Sequence, residues 1–321
     1  MKKRLITGLV FVLVIVLGLV LKFYVSNYFF DALILAVSVI AGFEASRIFA
    51  KMGRYNNKIM AMVFPCLAML TALLGIAFDK QIGIIYTLLM IIALMLLCLI
   101  LTFIIEISSK NITILEMKNM GYEGKRAKFC LKKSFNTTLT FIYPTFLLLF
   151  LTFINHFENL TTSFSGVNEF NGRLSLFILI FTILIPVISD TFAYITGSII
   201  GGKKLAPKIS PNKTISGAVG GIIWCVLLSI TLFCIFNAFP VYSQVFTTIN
   251  LSVWQIAIMA FIGSIVSQLG DLFESFLKRS AKVKDSGKIL PGHGGMLDRF
   301  DSHIAVAPLM FIAFSVILAL L

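Results

Sequence analysis

The chain has 321 residues, 59% of them hydrophobic and 13% charged, with 27 Lys and Arg against 14 Asp and Glu. Length alone would allow about two soluble domains, but apolar runs of around twenty residues recur from end to end and exclude a soluble enzyme or binding module. The net charge of +13 calls for no nucleic acid: nothing resembles a nucleic-acid module, and attraction to anionic lipid headgroups accounts for it.

Nine membrane spans are predicted, at roughly 5–25, 28–48, 59–78, 82–105, 136–155, 174–200, 217–237, 253–275 and 302–321. Each is long enough to cross about 30 Å of hydrocarbon as a helix, so the expected fold is an all-α polytopic membrane bundle. Of the 27 Lys and Arg, 24 fall at the N-terminus and in alternate loops, while Lys22, Lys80 and Arg173 fall on the other side. The positive-inside rule then puts the N-terminus and the charged loops in the cytoplasm. The expected division is residues 1–135, with the first four spans and a cytoplasmic loop, and a catalytic part at 136–321 with the other five.

Residues 1–25 have the basic start and apolar run of a secretory leader, but no A-x-A-like site follows, so they are read as the first span. Spans one to four lack motifs, except that Glu44 and Arg47 at i, i+3 are placed to form a structural ion pair. The loop 106–135 carries Ile112, Leu115 and Met120 among lysines, which suggests a helix along the headgroup layer, with a solvated linker as the alternative. The outer loop 155–173 is polar, and His156 reads as an interfacial polar residue. Five scattered cysteines, four in spans and Cys130 in a loop, have no metal-ligand spacing and read as packing residues.

The sixth span holds Ser189-Asp190-Thr191 just after Pro186. An Asp about ten residues from the helix end lies about 15 Å deep, so it must face a polar cavity or a partner, and Pro186 is placed to kink the helix and open one. The following loop, GGKKLAPKISPNKTISG, combines glycines with four lysines. Asn212 and Lys213, at the entrance to the seventh span, are placed to reach an anion at the membrane surface. Lys203 and Lys204 read as topological anchors.

The stretch Ser267–Ser302 is the chemical centre, because five of the 14 acidic residues fall within it: Asp271, Glu274, Asp285, Asp298 and Asp301. Its first half continues the eighth span, with Ser267, Asp271, Glu274 or Ser275, and Lys278 recurring on one helix face. Its second half is a loop rich in Gly, Lys and Asp that contains Pro291, Gly292, His293, Gly294 and Gly295. Glycines let backbone N–H groups approach an anion, and lysines add charge, as a polyphosphate pocket requires. Separated carboxylates beside such a loop suggest a hard cation bridging phosphates.

Ser275-x-x-Lys278-Arg279, Lys284-Asp285, Pro291-Gly292-His293-Gly294-Gly295 and Asp298-Arg299-x-Asp301, in that order, resemble the signature of phosphatidate cytidylyltransferases, or CDP-diacylglycerol synthases. Ser189-Asp190-Thr191 and Ser210-Pro211-Asn212-Lys213-Thr214 extend the resemblance to roughly residues 185–302. One departure is Ser216, where the family usually has an acidic residue before the glycine.

The resemblance implies that the phosphate of phosphatidic acid attacks the α-phosphorus of CTP, giving CDP-diacylglycerol and diphosphate with Mg²⁺ assistance, and that a second monovalent or divalent cation could take part. It implies Asp271 and Asp298 as metal ligands, with Asp285, Asp301 and Glu274 as supporting or additional ones. Lys278, Arg279 and Lys284 would hold phosphate oxygens, and Gly292, Gly294 and Gly295 would cradle a phosphate. His293 would donate a hydrogen bond to phosphate rather than act as a base. Ser275, Arg299, Asp190, Asn212 and Lys213 would complete the substrate site. The expected partners are CTP, phosphatidic acid and anionic membrane lipid, with a homodimer left open. The expected place is the plasma membrane, with the site facing the cytoplasm. A CTP-dependent polyprenol or phytol kinase and a cation-coupled transporter are the alternatives.

Overall fold

The computed structural model of the protein describes residues 2–77, 79–119, 122–160, 170–290 and 294–320. Among the described residues, nine helices are long and apolar enough to cross a membrane, so the protein is an all-α polytopic membrane protein. In order the helices are α1 (Lys2–Tyr24), α2 (Tyr28–Lys51), α3 (Lys58–Ala77), α4 (Asp79–Ser108), α5 (Lys110–Asn119) and α6 (Arg126–Thr140). A π-helical segment, Phe141–Phe146, leads into α7 (Leu147–Asn155) and α8 (Phe157–Leu160), then α9 (Arg173–Ile200). After a hairpin of β1 (Lys204–Ala206) and β2 (Ser210–Thr214) come α10 (Ile215–Asn237), α11 (Pro240–Thr248), α12 (Val253–Ser280) and α13 (Leu297–Ala319).

Several boundaries differ from the hydropathy reading. The fifth span begins at Arg126 and runs to Asn155, so Cys130 is a buried helix residue rather than a loop residue. Its break lies beside Pro144, where Tyr143 leaves helical geometry at φ −117° and ψ 117°, because proline supplies no N–H to the helical ladder. Pro186 lies inside α9, which is assigned as a single helix. The loop 106–135 does contain a helix, α5. The hairpin was not foreseen.

The chain forms two compact units, each assembled from three segments. Met1–Leu9, Ala32–Leu149 and Ser280–Asp298 make the first; Val10–Asp31, Phe150–Arg279 and Arg299–Leu321 make the second. The split within the fifth span thus falls at 149/150 rather than at 135/136, and segment 280–298 groups with the N-terminal part.

In the first unit, Asn57 caps α3 by accepting from the N–H groups of Ile59 and Met60 at 3.1 and 3.2 Å. Its amide also donates to Glu106 at 3.0 Å. Lys133 meets Glu106 at 2.9 Å and Glu116 at 2.7 Å, tying α4, α5 and α6 together. A buried lysine between two carboxylates is the kind of paired charge that low-dielectric surroundings tolerate.

In the second unit an aromatic cluster fills the core. The ring of Phe177 lies 4.8 Å from Phe246 and 5.3 Å from Phe236, and Phe311 lies 5.5 Å from Phe150 and 5.8 Å from Phe157. Helices α9 and α10 touch backbone to backbone. A Cβ at Gly217 would stand 2.5 Å from the Ala193 carbonyl, and one at Gly221 would stand 2.7 Å from that of Ser189. Small residues allow this close approach where apolar burial alone gives little drive for helix association.

His156, expected at an interface, is buried and bonds Asp31 at 2.7 Å. Asn155 donates to the same carboxylate at 2.9 Å, and Lys22 donates to Ser175 at 3.0 Å. Near Ser175, Glu158 accepts from the backbone N–H groups of Gly172, Leu174 and Ser175. Burial pushes the Glu158 carboxyl above its usual range, while those N–H groups and the Lys22 charge oppose the shift.

Candidate active site

The second unit gathers one set of predicted residues. Close packing of α9 on α10 sets Asp190 beside the end of β2, where Lys213 lies 4.0 Å from Asp190 and pairs closely with Asp271 of α12. All three side chains retain some exposure, 44%, 26% and 20% for Asp190, Lys213 and Asp271, so the ammonium can be shared with a solvent-borne anion. Behind them runs a neutral polar row. Ser189 and Ser264 hydroxyls meet at 2.8 Å, and Gln268 donates to the Ala218 carbonyl at 3.1 Å.

Asp301, on the first turns of α13, is in hydrogen-bond contact with Asp271 and feels the charge of Glu274. Its Oδ1 accepts from the Ser302 N–H at 2.7 Å. Glu274 is fully buried and pairs with Lys278 one turn along α12. The Lys278 ammonium, expected on a phosphate, is therefore engaged by a carboxylate. Arg279 donates to the Ile209 carbonyl at 3.2 Å, which ties the end of α12 to the hairpin.

The hairpin itself is pinned by hydroxyls. Thr214 caps α10 by accepting from the Gly217 N–H at 3.1 Å, and Ser216 donates to the Gly201 carbonyl. A carboxylate at position 216 has no proton to donate, so serine makes a bond here that an ionised acidic side chain would not. Asn212 is exposed, and Ser275 and Arg299 are partly exposed.

In the first unit, segment 280–298 carries Asp298 and Asp285. Asp298 Oδ2 accepts from the N–H and hydroxyl of Ser286, each at 2.9 Å, and from the Gly295 N–H at 2.7 Å. Leu290 N–H bonds the Gly294 carbonyl at 3.0 Å, and Gly294 has φ +85°, a conformation that favours glycine. Lys284 and Asp285 are exposed. Pro291, Gly292 and His293 lie outside the described residues.

Sequence reasoning paired Glu44 with Arg47 and missed its contact with segment 280–298. Its expected partner, Arg47, is exposed and lies over the Phe43 ring at 5.8 Å. Glu44 is only 1% exposed and accepts from the Leu297 N–H at 2.8 Å and the Ser286 hydroxyl at 3.1 Å. The cost of a carboxylate within an apolar span, the argument that singles out Asp190, applied equally to Glu44. Ser286 carried no such signal.

Among the described residues, no group of three or more His, Cys, Asp or Glu side chains is arranged to hold a metal ion. Two touching carboxylates, Asp271 and Asp301, nevertheless fit Mg²⁺. Mg²⁺ commonly takes one or two protein carboxylates and completes its shell with waters and substrate phosphates, and it relieves the repulsion of adjacent anions. Oxygen-only donors of this type do not suit a thiophilic metal.

Over 132 residues the chain is 46% identical to phosphatidate cytidylyltransferases of Staphylococcus saprophyticus, Staphylococcus epidermidis and Staphylococcus aureus, a match covering 41% of this chain and 46% of each relative. The chain thus spans about half the length of these curated relatives. The model of the cytidylyltransferase family matches residues 2–317, nearly the whole chain, and the protein belongs to that family.

Proposed function

We propose that the protein is a phosphatidate cytidylyltransferase that converts CTP and phosphatidic acid to CDP-diacylglycerol and diphosphate. The observation that carries this reading is the Asp190–Lys213–Asp271 arrangement in a cytidylyltransferase-family chain: a partly exposed cation held between carboxylates, with a second carboxylate, Asp301, against Asp271. Nucleotidyl transfer asks the protein mainly to place charge, since the phosphate of phosphatidate is already ionised and needs no base.

Asp271 and Asp301 would hold Mg²⁺, with Asp190 beside them. Bound there, Mg²⁺ would neutralise charge on the triphosphate and the leaving diphosphate. Lys213 passes from its carboxylate partners to a phosphate oxygen of incoming CTP, so the one cation offsets part of the carboxylate charge in the empty site and part of the phosphate charge in the loaded one. Arg279 braces the hairpin and so the position of Lys213. The exposed Lys203, Lys204 and Lys208 attract the polyanion towards it. Lys278 neutralises Glu274 within α12 rather than holding substrate.

In the balance of the reaction, a phosphatidate oxygen forms a bond to the α-phosphorus while the bond from that phosphorus to the bridging oxygen of diphosphate breaks. The 24-to-3 distribution of basic residues supports a cytoplasmic site in a plasma membrane, where CTP arrives from water and phosphatidate from the leaflet. Formation of labelled CDP-diacylglycerol from CTP and phosphatidate by the purified protein tests the reading. Transfer of label from γ-phosphate-labelled CTP to a polyprenol or phytol, with CDP released, would favour the kinase alternative.

A further inference from the structure

Helix α2 is not an obvious contributor to nucleotidyl transfer, yet its Glu44 side chain is committed to segment 280–298. Oε2 accepts from the hydroxyl of Ser286 within that segment and from the N–H of Leu297 near its end. The Met296 N–H faces the same carboxylate. The segment is shaped for it, because a Cβ at Gly287 or at Gly295 would overlap the Glu44 carboxylate. Glycine at both positions thus leaves room for the carboxylate. Ser286 N–H bonds Asp298, and the one proton of the Ser286 hydroxyl is shared between Asp298 Oδ2 at 2.9 Å and Glu44 Oε2 at 3.1 Å.

We infer that Glu44 is a positioning residue for the transfer reaction: it draws residues 286–287 and 295–297 onto one buried carboxylate and so fixes the orientation of Asp298. The reaction itself rests on the reading under "Proposed function". An interhelical ion pair would have matched Glu44 with a side chain. Here the carboxylate instead takes donors on one short segment, the Leu297 N–H and the Ser286 hydroxyl, which is how a loop is held in register. Removing this acceptor takes the partner from the buried Leu297 N–H and leaves the Ser286 hydroxyl to Asp298 alone, which favours opening of the segment.

Two measurements separate this inference from the activity assignment. Amide hydrogen exchange on detergent-solubilised protein follows residues 284–290 and 294–298 in wild type, Glu44→Ala and Glu44→Gln. Loss of a buried hydrogen bond to a charged acceptor should speed exchange there by about tenfold or more in Glu44→Ala, with peptides of α9 and α10 unchanged. Glu44→Gln, whose carbonyl still accepts from Leu297 N–H, should fall between. Unchanged exchange in Glu44→Ala overturns the inference whether or not the protein turns over.

The second measurement is CDP-diacylglycerol formation against CTP concentration. Glu44→Ala that elutes as wild type should lose about tenfold or more in kcat, with partial rescue in Glu44→Gln. A loosened segment with wild-type kcat and KM would show that Glu44 holds the loop without serving the reaction, and would also overturn the inference. A wild-type protein that forms no product would overturn the activity assignment and with it the catalytic part, while the exchange result would still decide whether Glu44 holds the loop.

Discussion

Asp298 and Asp271 are one residue type in two chemical settings. Asp298 Oδ2 accepts from two backbone N–H groups and from the Ser286 hydroxyl, which also faces Glu44, all three donors being fixed to one short segment. Asp271 faces the flexible ammonium of Lys213 and the carboxyl of Asp301. Neutral donors with fixed directions immobilise a carboxylate, whereas a lysine at the end of a four-carbon stem is a mobile charge that another anion can take over. The contrast gives Asp298 a fixed orientation and leaves Asp271 able to exchange ions and phosphates.

The largest effect that would break this contrast is at Asp271. Asp271→Asn should lower kcat by about a hundredfold or more, the scale of losing one charge-stabilising group from a transition state, with hydrogen exchange of segment 284–298 unchanged. Asp298→Asn should cost about tenfold or more, because the amide keeps one acceptor oxygen but loses the charge, and here exchange of the segment should rise. If the two variants show the same pattern in both measurements, the contrast is wrong.

Lys213→Met sharpens the Asp271 side. It should raise the KM for CTP by roughly tenfold, as loss of a charge-assisted phosphate contact does, and weaken the competition between salt and CTP. Gly221→Val tests the packing that presents Asp190: with the Ser189 carbonyl 2.7 Å from an added Cβ, overpacking should cost about 1–3 kcal/mol in thermal or denaturant unfolding.

The smallest effect concerns Glu158. Burial raises its folded-state pKa above the usual 4.5, so the native state binds the proton more tightly than the unfolded chain. Its contribution to stability is complete below that unfolded value and is lost as pH rises through the folded one. Unfolding midpoints measured upward from about pH 4 should decline less steeply in Glu158→Gln than in wild type.

Much of this was legible from local sequence. Nine apolar runs gave the all-α polytopic class, because hydropathy is a property of each segment by itself. Asp190, Lys213 and Asp271 were legible as separate signals, being polar groups in or beside apolar spans whose cost demands an explanation. Less legible were relations between distant segments. Glu44 and Leu297 are 253 positions apart, and Asp31 and His156 are 125 apart; no periodicity links them. Helix ends were displaced for a related reason. Hydropathy fades where α13 begins, so Asp298 and Asp301 read as loop residues, although backbone bonding carries the helix back to Leu297. Arg279 illustrates a further gap: its charge suggested phosphate, but the hairpin it binds through Ile209 was itself unforeseen.

The measurement that tests the account most directly is CDP-diacylglycerol formation from CTP and phosphatidate in detergent, with and without Mg²⁺, by wild type and by Asp271→Asn. The account predicts Mg²⁺-dependent product from wild type and a loss of about a hundredfold or more in the variant. Wild-type turnover that persists in Asp271→Asn, or no turnover under conditions where a staphylococcal phosphatidate cytidylyltransferase is active, would contradict it.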